Sequence, residues 1–168
     1  GLFIASRNLI PAARFAHTLE GDDAAIAAAV EAGKKRFVGF ELPGRTLGII
    51  GLGAIGVQVA NAALGLGLRV VGYDPAISVE HAWLLSSEVE RAQSIDEVFK
   101  RADILTVHVP LIPSTEGLVS TQKIAMMKPT AVILDFARAE IVDTEAVVTA
   151  LDEDRLTGYV CDFPSTLV

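Results

Sequence analysis

The chain has 168 residues, 51% of them apolar, with a formal net charge of −7. That length suffices for one domain with a full core. The acidic balance excludes nucleic acid as the main partner, and no apolar run reaches the roughly 18 residues of a membrane-spanning helix.

The opening GLFIASRNLIPAARF is apolar but carries Arg7, Pro11 and Arg14, without the small-residue cleavage pattern of a signal peptide. It has no initiator Met, so the chain is expected to be a piece of a longer polypeptide. Residues 1–21 read as one helix that starts without a cap. Residues 23–32 read as a second, Ala-rich helix, with Asp22 or Asp23 at its start and Gly33 just past its end. Lys34, Lys35 and Arg36 suit a helix C-terminus, where cations meet the negative end of the dipole. Residues 37–45 read as a linker turning at Pro43-Gly44.

From residue 46 short apolar runs alternate with helical segments. The runs are TLGIIG (46–51), RVVGYD (69–74), ILTVHV (104–109), TAVILDFA (130–137) and LTGYVCDF (156–163). They are rich in Val, Ile and Leu without polar alternation, the pattern of parallel strands buried on both faces. Between them, Ile55, Val59, Ala62, Ala63 and Leu66 are assigned to one helix face. Ser94 and Glu97 form a capping box for a helix to about Arg101. Ser120 is placed as the cap of a helix ending near Met127, and Asp143 of one running to about Asp154. Strand and helix in alternation predict an α/β, doubly wound parallel sheet of Rossmann type in three α/β/α layers. The expected organisation is a single nucleotide-binding domain over 1–168, with a helical arm at 1–36 and the Rossmann core at 46–163.

GLGAIG sets Gly51, Gly53 and Gly56 in the G-x-G-x-x-G spacing, after a strand and before a helix. Gly51 permits the tight turn, Gly53 lets backbone approach a pyrophosphate, and Gly56 lets helix and strand pack closely. The next strand ends at Asp74, where a carboxylate can bind both hydroxyls of an adenosine ribose and repel a 2′-phosphate. NAD is therefore expected over NADP. Pro75 follows and walls the adenine side or merely turns the chain.

Ligands of open parallel sheets sit beyond the carboxyl ends of the strands. Gly51 and Gly53, Asp74, His108 to Leu111, Arg138 and Asp162 all fall there. The Val109-Pro110 segment suits a wall beside a nicotinamide ribose, or is an ordinary connection. His108 has no acid or nucleophile partner in sequence and is not assigned as proton donor. Arg138 can hold a carboxylate or carbonyl by paired hydrogen bonds; the competing reading is an ion pair with Asp135, Glu140 or Asp143. Asp162 can accept from a carboxamide, or cap the turn before Pro164. Cys161, the only cysteine, excludes an internal disulfide and a thiolate metal site; a buried thiol and a reducing, cytoplasmic setting are expected. No metal site is expected.

LGIIGLGAIG with YDP, LTVHVPLIPST, LDFARAEIVD and GYVCDFP, in that order, resemble the D-isomer-specific 2-hydroxyacid dehydrogenases, in their nucleotide-binding domain. ASRN near the start and VCDFPS at the end lean towards members acting on 3-phosphoglycerate. The resemblance implies a pyrophosphate cradle at Gly51, Gly53 and Gly56 with Ala54 and Ile55, and a ribose acid at Asp74. It implies cofactor contacts at Pro75, Val109, Pro110, Ala137 and Asp162, and a substrate-orienting Arg138. It further implies NAD as cofactor, a 2-hydroxy or 2-oxo acid as substrate and a homodimer built partly by the apolar N-terminal helix. The family's general-acid His and its Glu have no counterpart among His17, His81 and His108, and its substrate domain is expected to be absent from this chain. The isolated chain should therefore turn over little or nothing.

The family usually has Asn and Gly where this chain has Asp135 and Ala139. Asp135 is expected to compete with an anionic substrate for Arg138, and Ala139 to be strained if its φ is positive. Two other classes compete: an NAD-responsive interaction module resembling the related corepressors, and a methyltransferase using S-adenosylmethionine. The spacing to Asp74 and the FARAEIVD segment disfavour the latter.

Overall fold

The computed structural model describes residues 1–164 and 166–167; Ser165 of the VCDFPS stretch and Val168 lie outside the described residues. The five apolar runs become strands β1 (Thr46–Ile50), β2 (Arg69–Tyr73), β4 (Ile104–Val107), β5 (Val132–Asp135) and β6 (Gly158–Cys161). A two-residue strand, β3 (Glu90–Arg91), which the sequence did not betray, pairs along β2 through Val71 and Gly72. The order is β3-β2-β1-β4-β5-β6, every pairing parallel. This is the doubly wound Rossmann arrangement, whose strand order reverses beside the central β1.

β1, β4 and β5 are buried along their whole length, which explains why Val, Ile and Leu dominate them without polar alternation. Val98 and Phe99 of α6 (Ile95–Arg101) pack into the same core with Val147 and Ala150 of α8 (Thr144–Asp152). Full burial of each such Val or Phe side chain contributes about 1.5–3 kcal/mol. At the amino ends of the strands, Asp103 accepts from Thr46 N–H at 2.8 Å and from Lys128 Nζ at 2.8 Å. It thereby ties the start of β1 to the start of β4.

The caps follow the sequence in part. Ser94 accepts from Glu97 N–H at 3.3 Å, while the Glu97 carboxylate returns to Gln93 N–H at 2.8 Å. Asp143 accepts from Ala146 N–H at 3.0 Å. Ser120 precedes α7 (Thr121–Ile124), but its hydroxyl meets Gln122 and not a backbone N–H, and the α-helix ends three residues before Met127. Helix α4 (Ala54–Gly65) buries Gly56, Val57, Ala60 and Ala63, so only Ala63 of the expected face is buried. The helix is apolar nearly all round, and periodicity could not choose between its faces; small residues won because they let helix and sheet approach. Helix α5 (Val79–Leu84), capped by Ser78, was not expected either.

Two compact units divide the chain, Gly1–Glu41 and Leu42–Val168. In the first, the expected single helix is broken at Asn8, whose φ of 50° is left-handed, into α1 (Leu2–Arg7) and α2 (Leu9–His17). Asn tolerates that conformation better than other non-glycine residues. Helix α3 (Asp23–Gly33) is capped by Asp22 through Ala25 N–H at 2.9 Å. Gly33 is its last residue, with right-handed dihedrals, and the basic cluster forms a 3-10 turn after it. The Arg36 guanidinium lies 4.7 Å from the Phe15 ring centroid. Among the described residues, no helix is long and apolar enough to cross a membrane.

Candidate functional site

The parallel sheet carries the carboxyl ends of all its strands to one edge, and the residues singled out by sequence follow those ends. Gly51 leaves β1 with φ +95°, where a side chain would also meet the backbone of His108 at 2.8 Å. Gly53 is the N-terminal residue flanking α4 and brings no side chain to cap it, so the first-turn N–H groups of Ala54, Ile55 and Gly56 receive no side-chain cap. A Cβ added at Gly53 would meet nothing within 4 Å, whereas one at Gly56 would lie 2.0 Å from Gly51 O. The turn thus has open space at one glycine and a closed backbone contact at another. Uncapped N–H groups at a helix N-terminus facing open space form an anion cradle.

Asp74, just beyond β2, is more tightly held than sequence implied. Its Oδ2 accepts from Leu52 N–H at 2.8 Å and its Oδ1 from Ala76 N–H at 2.9 Å. The carboxylate closes the glycine turn and still keeps lone pairs for other donors. Asp74 itself lines a cleft of about 320 Å³ whose wall combines apolar Leu52, Pro75, Ile77, Ala82, Leu85 and Val89 with charged Glu90 and Arg91. Ile77, Ala82, Leu85 and Val89 were missed because they come from α5 and the loops around it, which lack a strong periodic signal.

A second cleft, about 480 Å³, is lined by Ile55, His108, Val109, Pro110, Leu111, Phe136, Ala137 and Arg138. It brings together the α4 N-terminus, the loop after β4 and the loop after β5. Arg138 is exposed there, and its Nη1 donates to Ala137 O at 3.0 Å. Among the described residues no carboxylate pairs with it, so the alternative reading of an ion pair with Asp135, Glu140 or Asp143 is not found. Asp135 points inward: it accepts from Ala137 N–H at 3.1 Å and from the Tyr159 hydroxyl at 3.2 Å. Burial raises its pKa, with a smaller push from Asp162. Burial, then Asp135, likewise raises that of Tyr159. Ala139 opens a 3-10 turn and is not among the positive-φ residues, so the expected strain is absent.

His108 Nε2 lies 3.1 Å from Thr106 Oγ1, and burial lowers its pKa, which favours neutral imidazole. It lines the cleft as a neutral polar group. Asp162 is exposed just past β6 and close enough to Asp135 to act on it electrostatically, but does not line the cleft. Cys161 is half-buried, not fully buried as expected, because β6 is an edge strand.

Residues 6–166 match the family model of the D-isomer specific 2-hydroxyacid dehydrogenase, NAD binding domain. D-3-phosphoglycerate dehydrogenase of Methanocaldococcus jannaschii is 44% identical over 129 residues, 77% of this chain and 24% of that protein. The chain thus spans about a quarter of the length of the curated relatives it first matches. D-mandelate dehydrogenase of Rhodotorula graminis superposes with a TM-score of 0.82 at 28% identity, covering 99% of this chain and 49% of that one. D-lactate dehydrogenase of Lactobacillus jensenii, solved with NAD+, gives 0.74 at 27% identity over 98% of this chain and 45% of that one. The uncapped helix start, the open space at Gly53 and the fixed Asp74 fit a dinucleotide. The chain belongs to the D-isomer-specific 2-hydroxyacid dehydrogenase family, as its NAD-binding domain.

Proposed function

We propose that this domain holds NAD(H) for a dehydrogenase acting on 3-phosphoglycerate, the first step of serine biosynthesis, in the cytoplasm. The carrying observation is the union, at one sheet edge, of an open glycine cradle, a fixed acid at Asp74 and an exposed Arg138 that makes no ion pair among the described residues. When bound, the dinucleotide supplies a hydride acceptor or donor at its nicotinamide. The cradle N–H groups of Ala54, Ile55 and Gly56 hold the pyrophosphate with the dipole of α4. Asp74 takes the adenosine ribose, with Pro75 in the wall of the same cleft. Val109, Pro110 and Ala137 would wall the nicotinamide side, and Asp162, exposed just past β6 and outside that lining, would accept from the carboxamide. Arg138 orients and polarises the 2-oxo or 2-hydroxy acid through its fork of donors.

Burial lowers the His108 pKa and its Nε2 is engaged with Thr106 Oγ1, so we do not assign it as the acid that would complete the reaction. The isolated 168-residue chain should therefore bind cofactor without measurable turnover. The relatives named D-3-phosphoglycerate dehydrogenase support the substrate class. The exposed Phe3, Ile4, Leu9 and Ile10 support a homodimer.

The test is calorimetric titration of the chain with NADH, NADPH and S-adenosylmethionine. NADH should bind most tightly. Gly53→Ala, which adds a methyl into open space, should leave thermal stability unchanged and weaken NADH at least about tenfold. Equal or tighter NADPH binding, or an unaffected Gly53→Ala, contradicts the reading.

A further inference from the structure

We propose that Asp135 sets the charge preference of the cofactor cleft, favouring the oxidised, cationic nicotinamide over the reduced, neutral one. The inference rests on the reading that the cleft beside Arg138 receives the nicotinamide.

Asp135 ends β5 and is 3% exposed. Its Oδ1 accepts from the N–H of Ala137, and Ala137 is part of the cleft wall. The carboxyl group therefore lies one hydrogen bond behind the cleft. Its other oxygen accepts from Tyr159 OH. Neither partner carries a charge.

The surrounding titratable groups do not neutralise it. On β6, Tyr159 stays a phenol, since burial and then Asp135 raise its pKa, and Cys161 stands at the register position of Asp135. Asp162, beyond β6, carries like charge and pushes the Asp135 pKa up. His108, after β4, is neutral through burial. Arg138 is the nearest cation in sequence, and it turns to Ala137 O without an ion pair to any described carboxylate. Whatever charge Asp135 bears is thus left for a ligand to answer.

The two redox forms of a nicotinamide ring differ by one positive charge. An ionised carboxylate behind the wall attracts one form and is indifferent to the other, and its burial leaves little solvent to screen it. Protonated Asp135 distinguishes neither. Because burial raises its pKa, the change of state is expected above the usual carboxylate range. By linkage, binding of the oxidised form should favour ionisation and release a proton, whereas the reduced form should not.

The test measures dissociation constants of NAD+ and NADH for the 168-residue chain from pH 5 to pH 9. In wild type, the ratio of NAD+ to NADH dissociation constants should fall as pH rises. In Asp135→Asn, which keeps an acceptor for Ala137 N–H, the ratio should be flat and about tenfold higher at the alkaline end. Tyr159→Phe, which deletes a donor to the charged form, should move the wild-type midpoint to higher pH. A ratio in Asp135→Asn within twofold of wild type at pH 9 overturns the proposal. If that variant does not fold, a flat wild-type profile or an unmoved Tyr159→Phe midpoint overturns it. Failure of wild type to bind either form removes the underlying reading of the cleft instead.

Discussion

Gly53 and Gly56 stand three residues apart in one motif, yet they face opposite physical demands. At Gly53 a methyl would meet nothing, so the fold itself does not require glycine there for space. At Gly56 it would sit 2.0 Å from Gly51 O, so selection there concerns the fold. Gly56→Ala should therefore lower the urea midpoint by an amount worth about 2–3 kcal/mol, in contrast to the neutral Gly53→Ala. Arg138 is the other residue whose role is open to direct trial. In the full-length protein, Arg138→Ala should cut kcat/KM for the 2-hydroxy acid by about a hundredfold or more and leave NADH affinity within twofold. Unchanged turnover with Arg138→Ala would favour a non-catalytic, NAD-responsive module.

The elements show what sequence could and could not carry. Apolar runs marked five strands; in β1, β4 and β5 burial on both faces leaves little room for polar alternation, whereas β6 is only half-buried at the sheet edge. Side-chain caps at Asp22, Ser94 and Asp143 were legible because each is a local contact over three residues. The break at Asn8, the buried face of α4 and the two-residue β3 were not. They depend on partners far along the chain, or on a choice between two equally apolar faces. The same holds at the cleft: the position of Arg138 just past β5 followed from the sequence, but the inward turn of Asp135 needed Tyr159 from the neighbouring strand. Asp103 offers a test at this scale. Burial would raise its pKa, but the Lys128 ammonium and Thr46 N–H outweigh that and hold it below the ordinary 3.8. A depressed acid contributes stability that is complete above its unfolded pKa and lost as pH falls through the folded one. Asp103→Asn should thus be clearly less stable than wild type by urea denaturation at pH 7, with the gap narrowing towards pH 3.

For the molecule as a whole, the strand order brings the glycine turn after β1 between the ends of β2 and β4, so one cofactor can touch loops from distant parts of the chain. Phe3, Ile4, Leu9 and Ile10 remain exposed in the N-terminal unit, a surface costly to leave in water. Light scattering at micromolar concentration should give twice the monomer mass; a monomer there would assign these side chains another role. The bond from Asp74 to Leu52 N–H carries a lesson for redesign. The acid that should discriminate against a 2′-phosphate also braces the turn meant for the pyrophosphate. An engineer who replaces Asp74 with a small neutral residue to admit NADP would loosen the grip shared by both dinucleotides. If Asp74 takes the ribose as proposed, a switch of cofactor made by charge alone should cost affinity, and a successful one would have to restore a brace for Leu52 at the same time.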